Sequence, residues 1–283
     1  MPTGYKSIDT SLKNKHAEVM YRDAIKALYE NLFGNLLKEL KKSYTNVRVN
    51  NAVGETQDIF EQYRKFIQSP KFQEKTGRIV VKWYNTLKKM GHGQFRDVMR
   101  KALGIKFDIK YGSRPYDQLF RLAIQQNVSL ITNMANQTLN NIQSIVYNGM
   151  TSGQDMPDLN KQLQNQFDMS AERAKLIARD QSAKAHASLN ELEMQDAGIE
   201  FFEWDTAGDS RVSTGKGGHK QLDGKIYRMD DPDHLPVIDA DGNRGMPGDR
   251  VNCRCTAKAV ILMDDYKAIR NSDGSYRIVR GRA

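Results

Sequence analysis

Three side chains in the last third of this 283-residue chain could do chemistry together: His219, Cys253 and Cys255, the two cysteines being the only ones in the sequence. Thiolate and imidazole are zinc ligands, and structural zinc takes four such groups, mostly Cys and His. Asp209, Asp249 or His234 would then supply a fourth ligand. At i and i+2 on a strand the two thiols would share one face. The same residues also suit packing of small buried thiols, or a redox or covalent role. Asp209 and Arg211 form an acid–base pair two residues apart. An arginine fork meets a carboxylate through two bonds, so the pair can brace a turn, or Arg211 can take a phosphate or a partner's carboxylate. Leu222, Asp223 and Gly224 read as a turn, and Asn252 precedes the first cysteine. The run DADGNRGMPGD (239–249) lacks the acidic frame and final Glu of a calcium loop and is expected to be a turn. Asp180 and His186 are expected to be surface polar residues. The sequence has no G-x-S-x-G, no P-loop and no dinucleotide-binding glycine turn, and no nucleophile–base pair is visible.

The elements that must position these groups change character along the chain. Up to about residue 198 the apolar residues recur at three- and four-residue steps, as on helices. Helices are expected from about Lys13 to Tyr44, Asp58 to Ile67, Arg78 to Met90, Gln94 to Leu103, Asp117 to Gly149 and Ser170 to Asp196. Gly91–Gly93 reads as a break, Gly104 and Gly198 as stops, and Ser170 as an N-cap with Glu172 in the first turn. Residues 1–12 are expected to fray, 45–56 to form a loop and 151–158 a polar turn. The alternation of Ile105, Phe107, Ile109 and Tyr111 suits a short strand or an extended connector. Beyond Gly198, IEFFEW (199–204) and the run 251–263 are strand candidates, separated by Gly, Asp and Pro as in tight turns. The fold class is mainly α: a helical N-terminal region followed by a small C-terminal α+β module. The domain division expected is 1–165, basic and mostly helical; 166–262, the module; and 263–283, a basic tail.

Charge follows this division. Residues 1–110 hold 22 Lys/Arg against 11 Asp/Glu, and residues 111–283 hold 21 against 23. A positive field in the first third favours nucleic acid or another acidic partner, and otherwise belongs to a solvated helical surface. The apolar fraction of 39% lies below the usual roughly 45–50%, as for exposed helices or segments that order against a partner. Two cysteines make no disulfide framework. Neither an N-terminal apolar segment nor a membrane-length apolar run is present, so the chain is expected to be made in the cytoplasm, without membrane contact.

Taken in order, WDTAGDSRVS, a His, LDGKIY, PGD and NCRC resemble the C-terminal signature of the Mu protein F-like minor head proteins of tailed bacteriophages, also called head morphogenesis proteins. The helix 172–198 resembles the one that precedes this signature. The likeness covers about residues 170–262. It carries over to Asp209, Arg211, His219, Leu222, Asp223, Gly224, Asn252, Cys253 and Cys255. The chain departs from the family after Arg211, where Val212, Ser213, Thr214 and a glycine-rich run stand in place of a further basic residue or cysteine. The resemblance implies a non-enzymatic virion protein, inside the capsid at the portal vertex, acting in head morphogenesis and in DNA packaging or ejection. Its implied partners are the portal protein and double-stranded DNA, with scaffolding or major capsid protein as further candidates. Zinc is the one cofactor considered. The 28 residues after Cys255 are expected to be too few for the toxin or enzyme domain that some relatives carry. The rivals are a metal-dependent hydrolase or nuclease using His219, Cys253 and Cys255, and a host DNA-binding protein without sequence preference.

Overall fold

The computed structural model describes residues 4–11, 15–45, 49–104, 114–152, 154 and 156–281. Five helices come first: α1 (His16–Thr45), α2 (Val49–Gln68), α3 (Pro70–Leu103), α4 (Arg114–Ser152) and α5 (Met156–Asp196). Strand β1 (Tyr5–Ile8) precedes them. After them come β2 (Phe201–Asp205), β3 (Ile226–Arg228), β4 (Thr256–Leu262), β5 (Tyr266–Arg270) and β6 (Tyr276–Arg280). The fold is mainly α with a small C-terminal α+β module, as the sequence pattern implies. The chain divides into two compact units, one of residues 16–84 and 121–179, the other of residues 1–15, 85–120 and 180–283. The boundaries fall inside α3, α4 and α5.

The first unit is helical. Its α1 buries Tyr21, Ile25, Leu28, Leu32, Leu36 and Leu40, the three- and four-residue rhythm of an inward helix face. The Tyr21 ring stacks on Trp83 at 4.4 Å between centroids. Its hydroxyl donates to Asn127 Oδ1 at 2.8 Å, and Tyr29 donates to the Ile131 carbonyl at 2.6 Å. Tyr21 and Tyr29 therefore enter this core with their hydroxyls partnered, as burial favours.

Gly91 and Gly93 do not break α3. Each glycine costs a helix interior about 1 kcal/mol, but Phe95 and Met99 beyond them are fully buried, and that burial outweighs the cost. Residues 49–56 are helix rather than loop; the start of α3 is set by Ser69, whose Oγ accepts the Phe72 N–H at 3.3 Å with Pro70 at the first helical position. Ser170 is not an N-cap but an interior residue of α5, its hydroxyl donating to the Gln166 carbonyl at 2.9 Å, the i−4 bond open to a mid-helix serine. Helix α4 runs on through Ser152 and α5 starts at Met156, so helix occupies both ends of the stretch expected as a turn, 151–158. The Ile105–Tyr111 alternation lies outside the described residues.

The second unit is built on an antiparallel sheet of order β1-β4-β2-β3-β6-β5. The N-terminal residues expected to fray instead supply an edge strand, with Tyr5 opposite Leu262 and Ile8 opposite Ala259. Ile8 enters the core with Phe95, Met99, Met194, Phe202 and Trp204. The basic tail is a hairpin: β5 pairs with β6 throughout, and Ile226 of β3 opposes Tyr276 of β6. At the end of α5, Gly198 takes φ +73° and the Ile199 N–H returns to the Met194 carbonyl at 2.9 Å, which turns the chain into β2. Asn190 of α5 donates to the Ala257 carbonyl of β4 at 3.1 Å in the buried interface.

Trp83 is completely buried, stacked on Tyr21 and edge-on to Tyr84. Trp83→Ala should lower unfolding free energy by about 3–5 kcal/mol and shift the urea midpoint down accordingly. An unchanged midpoint would contradict this packing.

Candidate functional site

The candidate site is assembled by the loops around β2, β3 and β4. After β2 the chain runs through residues 206–218 into a short 3-10 helix, His219–Leu222, then the Asp223–Gly224 turn, then β3. Leu222 is buried in the core. Asp223 Oδ1 accepts the Thr206 N–H and hydroxyl, both at 2.8 Å. Gly224 takes φ +72°, donates to the Trp204 carbonyl at 2.8 Å, and Trp204 N–H in turn donates to the Lys225 carbonyl at 2.8 Å. A side chain at that left-handed φ would be strained. These bonds fix where the 3-10 helix begins and ends, and so where His219 sits.

His219 is buried, its ring edge-on to Trp204 at 5.1 Å. Its backbone N–H donates to Ser213 Oγ at 3.0 Å. Its Nε2 lies 3.1 Å from the Ile238 carbonyl oxygen. A carbonyl only accepts, so Nε2 carries the proton and Nδ1 is turned to the sulfurs, 3.5 Å from Cys253 Sγ and 3.4 Å from Cys255 Sγ. The hydrogen bond with Cys253 raises the His219 pKa against the opposing effect of burial. The two buried thiols split. Cys253 is pulled down, first by the bond from Cys255 and then, against burial, by His219. Cys255 is pushed up by its bond to Cys253 and by burial, with the Trp204 side chain acting in the opposite direction.

The cysteines are not on a strand, as their spacing suggests, because β4 begins at Thr256. Backbone bending brings them together instead. Asn252 adopts φ +60°, a left-handed conformation that Asn tolerates better than most residues, and its N–H donates to Asp180 Oδ1 at 2.6 Å. Asp180, only 12% exposed and paired with Lys184 at 3.1 Å, is therefore no surface residue. Arg250 donates to the Ile238 carbonyl at 3.0 Å, the same oxygen that holds His219. Gly217 passes so close beneath the Asp239 carbonyl that any β-carbon would collide with backbone.

Asp209 and Arg211 do pair, at 2.9 Å, and Asp209 also accepts the Arg211 N–H at 3.0 Å. The stronger partner is Arg254, whose fork meets both Asp209 oxygens at 2.6 Å. Arg254 first and Arg211 second hold the Asp209 carboxyl far below its ordinary range. Arg254 sits between the two cysteines, so this pair ties the 206–218 loop to the segment that carries them. Arg254 carries one sequence signal: a charge between two buried thiols must turn outward and find a partner. Asp180 leaves no local signal, lying 72 residues from the amide it holds.

Among the described residues the group able to hold a metal is His219, Cys253 and Cys255, with ligand atoms within 4.8 Å of one another. Asp209, Asp249 and His234 do not join it. Asp249 Oδ2 accepts the Met246 N–H at 2.7 Å. His234 Nδ1 lies 2.7 Å from Asp231 Oδ1. In the 239–249 run, Asp239 binds the loop's own Asp241 and Asn243 amides at 3.1 and 3.0 Å, as a turn. The three-residue cluster lines a cleft of about 260 Å³ together with Arg211, Arg250 and Arg254.

These motif residues lie within a segment shared with known proteins. The family described as Phage Mu protein F like protein matches residues 140–258. The chain is 28% identical over 158 residues to the minor head protein GP7 of Bacillus phage SPP1, covering 51% of this chain and 48% of that protein. It is 23% identical over 263 residues to an uncharacterized protein of Haemophilus influenzae, covering 92% and 56%. The chain thus spans about half the length of the curated relatives it matches. No solved structure matches it. No helix among the described residues is long and apolar enough to cross a membrane.

The acid response follows from these carboxylates. Asp209 is held low by Arg254, and Asp273 is lowered to about 2, first by Lys225 and then by Ser275. A depressed folded-state pKa stabilises above the unfolded value and loses that contribution as pH falls below it. Stability should hold from pH 7 to about pH 4 and decline below. Arg254→Met should be less stable at pH 7 yet lose less between pH 4 and 2. Equal acid slopes in denaturant titrations would contradict the assignment.

Proposed function

We propose that this protein is a minor head protein of a tailed bacteriophage, carried inside the capsid at the portal vertex and acting in head morphogenesis and DNA packaging or delivery. The observation that carries the reading is the family match over 140–258, in which Asp209, Arg211, His219, the Leu222–Gly224 turn, Asn252, Cys253 and Cys255 are elements of one braced module. The role is structural rather than enzymatic. Asp209, Asp223 and Asp249 are each engaged by neighbouring groups, which suits a docking piece better than a reacting centre. The portal protein is the proposed partner of this module, 166–262, with scaffolding or major capsid protein as further partners.

The basic region, 1–165, is proposed to contact packaged double-stranded DNA or an acidic surface of the portal. In α3, Lys71, Lys75, Arg78 and Lys82 are exposed and spaced four, three and four apart, which puts them on one side of the helix. A line of cations at helical repeat suits a row of phosphates and carries no base specificity.

Two experiments test this. Immunoblotting of purified virions should find the protein protected from external protease until the heads are opened; its absence from virions would overturn the head assignment. In gel shifts, affinity for duplex DNA should fall steeply with salt, by about 0.9 in log–log slope per phosphate contacted. Replacing Lys71, Lys75, Arg78 and Lys82 with Ala should flatten the slope by about three to four. A flat wild-type slope, or no shift at low salt, would overturn the DNA contact.

A further inference from the structure

The arrangement around His219 is more specific than hydrogen bonding alone requires. Its Nε2–H is committed to the Ile238 carbonyl at 3.1 Å, so a single Nδ1 lone pair faces two sulfurs at 3.5 and 3.4 Å. That lone pair accepts one thiol proton and leaves the other thiol to the neighbouring sulfur. A cation placed among the three atoms meets all of them at once.

The distances fit such a cation. Tetrahedral zinc with Zn–S about 2.3 Å and Zn–N about 2.0–2.1 Å implies S···N separations of about 3.5 Å and an S···S separation of about 3.8 Å. Both S···N distances match, and all three ligand atoms lie within 4.8 Å of one another. The donors, two sulfurs and one imidazole nitrogen, select zinc over the oxygen-seeking calcium and magnesium. The surroundings are those of a metal-ligating histidine, whose second nitrogen is normally bonded to a carbonyl or carboxylate that fixes the ring. Here that carbonyl is itself held by Arg250 at 3.0 Å.

We propose that His219 Nδ1, Cys253 Sγ and Cys255 Sγ bind one Zn²⁺, with a water molecule from the adjoining cleft as fourth ligand. Among the described residues no further Cys, His, Asp or Glu belongs to the group, and the three ligands line the cleft with Arg211, Arg250 and Arg254. The ion clasps the 3-10 helix to the segment that leads into β4. On binding, three bonds to zinc form and two protons leave the cluster for solvent, whichever of its atoms held them. The proposal stands apart from the head-protein assignment, since the site would bind zinc whatever the chain assembles with.

The protein, purified under reducing conditions and stripped with a chelator, provides the test. Zinc added back and dialysed should remain at one ion per chain by elemental analysis, and both thiols should become slow to react with a disulfide reagent. Cobalt in its place should give an intense near-ultraviolet thiolate band and the visible bands of a tetrahedral site. Cys253→Ser and His219→Ala should each lose stoichiometric binding. Because either variant can fail to fold, the wild type decides. Absence of the cobalt–thiolate band, with thiol reactivity unchanged by zinc, overturns the proposal whether the stripped chain stays folded or not. Unfolding on stripping that zinc reverses supports it.

Discussion

The His219 imidazole, held between the Ile238 carbonyl and the sulfurs of Cys253 and Cys255, is the constraint on which the C-terminal module is arranged. A buried imidazole must have both nitrogens satisfied, because leaving one bare costs about 1–3 kcal/mol. Meeting that demand draws three separate segments to one point. The 3-10 helix brings the ring, the loop before β4 brings the thiols, and residue 238 brings the carbonyl. The neighbouring devices can be understood as holding those segments in place. Asp223 ties the chain after β2 to the turn before β3. Asp180 holds the bent backbone at Asn252. Gly217 lets the 206–218 loop pass under the Asp239 carbonyl.

The ion pairs around this centre position the chain more than they stabilise it. Asp209 and its two arginines are partly exposed, where solvent screening leaves such pairs little net stability. The value of the Arg254 fork is geometric. Two parallel bonds to one carboxylate fix direction as well as distance, and Arg254 stands between the two cysteines. A charge that cannot enter the core thereby sets the rotation of the backbone that sends its neighbours inward. Arg211, expected as the main partner of Asp209, plays the lesser part and also borders the cleft.

Much of the architecture was legible in the sequence, and the failures have physical reasons. Periodicity found the helices because each buries a continuous face. It missed their continuity at Gly91, Gly93 and Ser170, where local propensity argues for a break and burial of residues such as Phe95, Met99, Leu163 and Ala174 overrides it. The strands β2 and β4 were visible as apolar runs. The strand at Tyr5–Ile8 was not, since four residues on a sheet edge need little apolar patterning when β4 supplies their partners. In the site, residue types and order identified His219, Cys253, Cys255 and the turn at Leu222–Gly224. The contributions of Arg254, Asp180 and Ile238 were hidden, because they depend on contacts across long stretches of chain and, for Ile238, on a backbone oxygen that no side chain reports.

A structural reading of the module and a role in a phage head are compatible for a plain reason: a particle assembled once must hold without turnover, and a small sheet drawn around one buried polar centre gives a rigid surface at little cost in chain length. That reading rests on the orientation of a single ring. Long-range ¹H–¹⁵N correlation spectra of the folded protein measure it directly. His219 should carry its proton on Nε2, with Nδ1 unprotonated or shifted by a ligand. A neutral ring protonated on Nδ1 would contradict it, because Nδ1 would then have no lone pair for the sulfurs and Nε2 no proton for the Ile238 carbonyl.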